Sequence, residues 1–145
     1  MKSIPSFRIA FVALLAAVFL PVFAESGTLV IAMSGCKSDK GKMMVAVYDS
    51  KAAFSKLELA RATAMVTVTG GKAQVEIPDL EPGTYSVTVY HDENGNGKLD
   101  TNFLGMPKEV YGFSNDARGK AGPPEWEATT FAFEGGTKTI SITLK

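Results

Sequence analysis

One short stretch of this chain concentrates the kinds of side chain that bind hard cations. Between His91 and Asp100, side chains bearing oxygen fall at alternating positions and a glycine follows the third of them; the residues are Asp92, Asn94, Asn96, Gly97 and Asp100. Calcium takes about six to eight oxygen ligands, and a short loop supplies them where glycine permits a sharp bend. Lys98 would contribute its backbone carbonyl. The spacing therefore predicts a calcium-binding loop over residues 92–100.

The match to a known type of calcium loop is incomplete. Counted from Asp92, the residues follow the start of an EF-hand loop, but Phe103 stands where that loop has its closing bidentate glutamate. Water or nearby side chains would complete the ligand set, and the candidates are Glu93, Asn102, Glu109 and Asp116. Few charged ligands imply an affinity on the order of 10⁻⁴ M. Because Asn-Gly pairs also form ordinary hairpin turns, a plain polar turn is the alternative interpretation.

A second chemical possibility centres on His91, the single histidine of the chain. With Asp92 or Glu93 it could act in general acid/base catalysis, as in a hydrolase. The alternation of the preceding strand instead places His91 on the core-facing side, where it would pack and position the loop. One histidine and one cysteine are too few for a zinc site. We predict no catalytic residue and a protein that is not an enzyme.

A third possibility lies in residues 103–126, which are rich in aromatic side chains. Tyr111, Phe113 and Trp126, with Arg118, could line a groove for a small ligand such as a carbohydrate. Aromatic side chains also fix a long loop to a core, which is the alternative. Disordered segments are poor in aromatic residues. We therefore expect residues 101–127, which show no strand pattern, to form an ordered loop folded against the rest of the domain.

The elements that would position these residues are mostly strands. Alternation of apolar and polar residues predicts about seven strands, over residues 29–33, 43–47, 64–68, 73–77, 85–89, 131–133 and 140–144. Turns are predicted at Asp39–Gly41, Gly70-Gly71, Glu81–Gly83 and Gly135-Gly136. Only residues 52–61 suggest a helix. The pattern predicts an all-β fold, a single two-sheet sandwich of the Ig-like or transthyretin-like kind with one short helix and one long ordered loop.

The first residues predict export. Lys2 and Arg8 precede an apolar run over Ile9–Leu20, which Pro21 ends shortly before Ala24. A basic start, a short apolar run and a small-residue exit are the parts of a secretory signal peptide. The run is shorter than the roughly 20 residues of a membrane-spanning helix. We predict cleavage after Ala24, which leaves residues 25–145 as one domain in the periplasm or outside the cell.

Charge and cysteine content limit the partners. Removing Lys2 and Arg8 from the 15 basic residues leaves 13 against 15 acidic residues, without a basic stripe. We therefore expect no nucleic-acid partner, and without a second apolar span we expect no membrane insertion after cleavage. Cys36 is the single cysteine, so the fold needs no internal disulfide. The expected partner is a small ligand or an envelope protein.

The motif around the candidate loop resembles a known family. The run Tyr90–Phe103, followed by Leu104–Glu109 and Tyr111–Asn115, resembles the domain of unknown function 2141 family of small exported bacterial proteins. The similarity also takes in Gly41, Asp49 and Leu80–Tyr85 and covers nearly all of the mature chain. The resemblance implies export and a β-sandwich, but it does not point to any particular activity. The resulting hypothesis is a non-enzymatic binding or structural module of the cell envelope with a weak calcium loop.

Overall fold

Residues 25–145 form two β-sheets with eight strands and one short helix in the computed structural model, which describes that part of the chain. The predicted signal peptide, residues 1–24, lies outside the described residues. No helix within residues 25–145 is long and apolar enough to cross a bilayer. The elements are β1 Gly27–Ser34, β2 Lys42–Tyr48, β3 Ala62–Val66, β4 Lys72–Leu80, β5 Gly83–Asp92, β6 Tyr111–Phe113, α1 Trp126–Thr129, β7 Phe131–Phe133 and β8 Gly136–Thr143.

The smaller sheet has the order β4-β1-β8, with β1 antiparallel to β4 and parallel to β8. The larger sheet has the order β3-β2-β5-β6, and β7 also pairs with β5. The short strands β6 and β7 lie along the same edge of β5: β6 pairs with Thr88–Tyr90 and β7 pairs with Gly83–Tyr85. The long strand β5 is thus held on both sides and leads directly into the candidate loop.

The core lies between the sheets and follows the predicted alternation. Leu29 and Ile31 of β1 are fully buried, as are Val47, Val87 and Val89 of the larger sheet. Each aliphatic side chain removed from water in this way contributes about 1.5–3 kcal/mol. The predicted two-sheet sandwich is therefore confirmed, and Cys36 packs half-buried at its margin as a small apolar residue.

The turn at Gly70-Gly71 carries the chain from β3 in one sheet to β4 in the other. Both glycines have positive φ, 60° and 71°, which a two-residue turn requires. The two oxygens of the Asp39 carboxylate accept the N–H groups of Gly70 and Gly71, each at 2.9 Å. These hydrogen bonds hold the pKa of Asp39 below its ordinary value. The predicted turns at Asp39–Gly41 and Gly70-Gly71 are thereby joined to each other.

Two predicted elements differ from the structure. The helix predicted over residues 52–61 is wrong: turns are followed by a 3₁₀ segment at Leu57–Leu59, and Ser55 has φ 63°, which interrupts any continuous α-helix. The helix is α1 instead. Residues 101–127, predicted to lack strands, contain β6, where a Cβ on Gly112 would lie 2.7 Å from Ile142 Cγ2. Pairing with β5 and close approach to β8 position this strand.

Candidate functional site

The candidate loop is organised around Asp92, the buried last residue of β5. Its Oδ1 accepts the backbone N–H of Gly95 at 2.8 Å and of Asn96 at 3.1 Å, and its Oδ2 accepts that of Gly97 at 2.7 Å. Gly95 and Gly97 have φ 74° and 76°, so the chain bends where glycine is favoured. One carboxylate therefore fixes the path of the whole turn through charge-assisted hydrogen bonds.

Three other predicted ligand side chains meet at one place in the loop. The two oxygens of Asp100 accept hydrogen bonds from Asn94 Nδ2, at 2.5 Å, and from Asn96 Nδ2, at 2.9 Å. The amide oxygens face the other way, toward the N–H groups of Asn96 at 3.0 Å and Lys98 at 2.9 Å. A half-turn of each amide about its last bond would present oxygen to the same place. The structure thus brings together the side chains of Asn94, Asn96 and Asp100, while Asp92 holds the same turn through its backbone N–H groups.

The loop is tied down at three further positions. Glu109 accepts the N–H of Glu93 on one oxygen and that of Asp100 on the other, both at 3.0 Å. The Tyr90 hydroxyl donates to the Gly97 carbonyl at 3.0 Å, and burial raises the pKa of Tyr90. Of the four additional ligand candidates, Glu109 therefore reaches the loop from outside it. This contact comes from the irregular segment that leads into β6, and the spacing in sequence gave no signal for it.

The other additional candidates have different partners. The Asn102 side chain accepts the N–H groups of Leu104 and Met106 and closes the next turn. Asp116 accepts the N–H of Thr143 on β8 at 2.7 Å, and Glu93 accepts the hydroxyl of Ser38 at 2.9 Å. Within residues 25–145, no three or more His, Cys, Asp and Glu side chains are grouped to hold a metal. Any cation in the loop would therefore rely on amide and carbonyl oxygens beside Asp92 and Asp100, which suits calcium better than zinc.

His91 is fully buried at the start of the loop, on the core-facing side as predicted. Its Nε2 donates to the Lys40 carbonyl at 2.7 Å. Its Nδ1 has no hydrogen-bond partner, and Glu93 Oε1 lies 3.7 Å away. A Cβ on Gly41 would lie 1.8 Å from the Asp92 carbonyl oxygen. The Asp39–Gly41 turn is therefore pressed against the strand end that carries His91 and Asp92.

A protein-family comparison matches residues 31–141, from the middle of β1 to the middle of β8, with a family described as an uncharacterized protein conserved in bacteria, DUF2141. The chain belongs to the DUF2141 family. Comparison with curated proteins and with solved structures gave no significant match. The match covers both sheets and the entire candidate loop, so the loop belongs to the part of this DUF2141 protein that the family defines.

The aromatic segment of this DUF2141 domain is fastened to the sandwich by Arg118. The guanidinium donates to the carbonyl oxygens of Tyr111, at 3.1 Å, and Thr143, at 2.6 Å, and lies over the Tyr111 ring. Phe113 is buried, with its ring 5.9 Å from that of Tyr111. Trp126 lies further on, edge to face with Phe54 at 5.6 Å. Phe54 lies 6.2 Å from Phe113, so it links Trp126 to the other three predicted groove residues.

The segment over residues 101–127 was expected to fold against the sandwich, but its tip does not. Phe103 is 94% exposed, Leu104 69% and Met106 61%. The turn that carries them is closed by Asn102 and by a bridge between Thr101 and Pro107. The apolar tip of this segment therefore projects into solvent.

An apolar groove of about 670 Å³ lies on the outer face of the larger sheet, and we did not predict it from the sequence. Its signal was present in β2, where the outward-facing residues Met44, Ala46 and Tyr48 are apolar although an outer face is usually polar. Within the described residues, its lining has no charged side chain; it consists of Met44, Val45, Ala46, Tyr48, Ser55, Leu57, Thr63, Ala64, Met65, Thr88, Tyr90, Leu99, Phe113 and Pro123.

Proposed function

We propose that this DUF2141 domain is an exported, non-enzymatic binding or structural module of the cell envelope whose loop at residues 92–100 binds calcium weakly. The observation that carries the proposal is the meeting of Asn94, Asn96 and Asp100 beside the buried Asp92. Two carboxylates, two amides and the Lys98 carbonyl are the hard oxygen donors that calcium takes. Calcium would replace the hydrogen bonds between the amides and Asp100.

The surroundings of His91 support a non-enzymatic role. A general acid or base must reach the proton it transfers. His91 is fully buried, and its Nε2 is engaged by the Lys40 carbonyl at 2.7 Å. It is placed to hold the Asp39–Gly41 turn against β5 rather than to meet a substrate. The proposal therefore assigns His91 the task of positioning the loop.

Calcium that binds only the folded protein stabilises it by mass action. At a concentration about tenfold above the dissociation constant, the free energy of unfolding rises by about 1.4 kcal/mol. For a domain of this size, that raises the melting temperature by about 5 °C. The expected affinity, on the order of 10⁻⁴ M, places this response in the millimolar range of calcium.

Thermal unfolding of the mature chain in increasing calcium, followed by excess chelator, tests the proposal. We expect a rise in melting temperature that chelator reverses. Asp100→Asn should remove the response, because it takes away a ligand charge while the backbone hydrogen bonds to Asp92 remain. Asp92→Ala should also remove it, but will lower stability without calcium because three N–H groups lose their acceptor.

Asp49→Asn is the matched control, since Asp49 is exposed and lies outside the loop. This variant should respond to calcium like the wild type. An unchanged melting temperature of the wild type across the millimolar range would refute calcium binding. An equal response in Asp100→Asn and the wild type would place the ion somewhere other than this loop.

Export is tested separately with the full-length chain. Expressed in a bacterial host, it should be recovered from the periplasm or medium with an N-terminus at Glu25. Recovery of the uncleaved chain from the cytoplasm would contradict export and leave the calcium measurement unaffected.

A further inference from the structure

One side of the sandwich is closed and the other is open. On the closed side, Tyr111 of β6 and Lys145, just beyond β8, exchange backbone hydrogen bonds at 3.2 and 3.1 Å, which join the two sheets. On the open side lie β3 and β4, the edge strands of the two sheets, each of which pairs with one other strand within residues 25–145. A partner that adds a strand to this domain would therefore bind at β3 or β4.

The edge strand β4 is protected against a further strand. Pro78 has no N–H to donate, and Asp79 has φ 54°, which interrupts the extended backbone. Lys72 and Glu76 are exposed charges on the same strand. Charge, proline and irregular backbone are the features by which native edge strands avoid pairing with other chains. The edge of the smaller sheet is therefore blocked.

The edge strand β3 has none of these features. Its residues, Ala62–Val66, include no charge and no proline, and none of them has positive φ. In an antiparallel ladder, alternate residues of an edge strand direct their N–H and C=O groups away from the paired strand. Within the described part of the chain, these residues have hydrogen-bond partners in β2 alone. The free backbone groups specify the chemistry of the missing partner, which is another extended strand.

The side chains on both faces of β3 are apolar and incompletely covered. Apart from the loop tip, the large apolar side chains that are more than half exposed within residues 25–145 are Leu57, Leu59 and Met65. Leu57 and Met65 line the groove on the outer face, so the apolar surface continues to the β3 edge. On the inner face, Ala64 and Val66 are only partly buried against the core. A strand added at β3 would cover side chains on both faces.

We propose that two copies of this domain pair through β3, antiparallel and centred on Ala64, so that their larger sheets become one continuous sheet. In this register, Ala64 lies opposite its own copy, Thr63 lies opposite Met65 of the second copy, and Ala62 lies opposite Val66 of the second copy. Every pair joins uncharged residues, and the residue on the two-fold axis is small. The strand is thus complementary to itself, as a two-fold dimer requires.

This pairing is independent of the calcium loop. Strands β3 and β5 run in the same direction, because both are antiparallel to β2. The two candidate loops of a dimer therefore lie at opposite ends of the joined sheet, away from the two-fold axis. The short length of β3 limits the number of hydrogen bonds across the axis, so we expect a weak and reversible dimer.

Sedimentation velocity of the mature chain in excess chelator tests the proposal without calcium. Between about 1 μM and about 1 mM, the range of weak interactions, we expect the sedimentation coefficient to rise from that of a monomer to that of a dimer. A wild-type protein that stays monomeric throughout this range would overturn the proposal.

Charge exchange at the β3 edge tests which surface forms the dimer. Thr63→Lys combined with Met65→Lys places like charges opposite each other across the axis and should raise the dissociation constant about tenfold or more. Both positions are exposed, so circular dichroism should show the wild-type fold. Thr63→Glu combined with Met65→Glu should also be monomeric alone, whereas an equal mixture of the two double variants should form a dimer.

Phe103→Lys combined with Leu104→Lys is the matched control, because it makes the same change of charge at the other exposed apolar surface. This variant should keep the wild-type dissociation constant. A dimer that the loop-tip variant abolishes and the β3 variant retains would overturn the proposal. A mixture of the lysine and glutamate variants that stays monomeric would also overturn it.

Cross-linking tests the register in a Cys36→Ser background. Ala64→Cys should give a disulfide-linked dimer on mild oxidation, because opposite residues of antiparallel strands have Cα atoms about 4.5–5.5 Å apart, within the range of a disulfide. Val66→Cys is the matched control: in this register Val66 lies about 13 Å from its own copy, so this variant should not cross-link. Equal cross-linking of the two variants, or none in folded Ala64→Cys, would overturn the pairing.

Discussion

At the scale of single residues, Gly41 shows how a distant turn supports the candidate loop. Its φ of 68° lies in the left-handed region, and a Cβ there would collide with the carbonyl oxygen of Asp92. The same turn supplies the Lys40 carbonyl that binds His91. The start of the loop is therefore shaped by residues about fifty positions earlier in the chain.

Gly41→Ala should destabilise the domain by at least about 2 kcal/mol, because the left-handed backbone and the collision act together. Gly95→Ala is the matched comparison, since Gly95 also has positive φ but has open space around its Cβ position. It should lose only about 1 kcal/mol, the cost of the left-handed conformation. Chemical denaturation measures both. Equal losses in the two variants would show that the approach to Asp92 is not tight.

The residue types at the loop were predictable, but part of their arrangement was not. Alternate oxygen side chains and Gly97 indicated a turn in which Asp92, Asn94 and Asp100 converge. Nothing local indicated that the amides present nitrogen to Asp100, or that Glu109 ties the loop ends together. The contact of Glu109 depends on how the chain returns to β6, which is a tertiary effect.

At the scale of elements, β5 has an edge that two short strands only partly cover. Between the segments paired with β6 and β7, the Val87 N–H is satisfied by the Ser114 hydroxyl at 2.9 Å. The same hydroxyl donates to the Thr129 carbonyl at 2.5 Å. One buried serine thus completes the edge of β5 and fastens α1 to it.

Ser114→Ala should lower the free energy of unfolding by about 1–3 kcal/mol, because it leaves a buried N–H and a buried carbonyl without their partner. Urea unfolding measures the loss. Ser141→Ala, on the exposed side of β8, is the control and should be close to neutral. A neutral Ser114→Ala would mean that water replaces the hydroxyl at this edge.

Strand alternation was a reliable guide where a strand is long and one face is buried, as in β1 and β5. It failed for β6, which has three residues with a glycine at its centre. Helix propensity failed over residues 52–61, because Ser55 takes a left-handed conformation and Phe54 packs onto the outer face beside Tyr48 and Trp126. We did not predict the groove, because the outward-facing apolar residues of β2 are types that occur in any strand.

At the scale of the whole molecule, the first and last strands close the smaller sheet. β1 lies at its centre and pairs along its full length with β8, from Gly27 opposite Gly136 to Ser34 opposite Thr143. Ile142 of β8 and Leu144, which directly follows β8, are buried in the core. The central strand of this sheet therefore has both neighbours only when the last strand is in place.

A chain that stops before Gly136 should fail to fold cooperatively. It loses the burial of Ile142 and Leu144, about 1.5–3 kcal/mol each, and a complete strand pairing, out of a typical total of about 5–15 kcal/mol. Near-ultraviolet circular dichroism and thermal unfolding should show no fixed tertiary structure. Thr139→Ala, an exposed change within β8, should unfold like the wild type. A cooperative transition in the truncated chain would contradict this role of β8.

The parallel pairing of β1 with β8 also decides how the domain responds to mechanical force. Because the two strands run in the same direction, the beginning of β1 and the end of β8 point toward opposite ends of the sheet. Tension applied at residues 25 and 145 would slide one strand along the other and strain every hydrogen bond of that pairing at once, instead of peeling them apart singly. A domain whose terminal strands pair in this way resists stretching between residues 25 and 145.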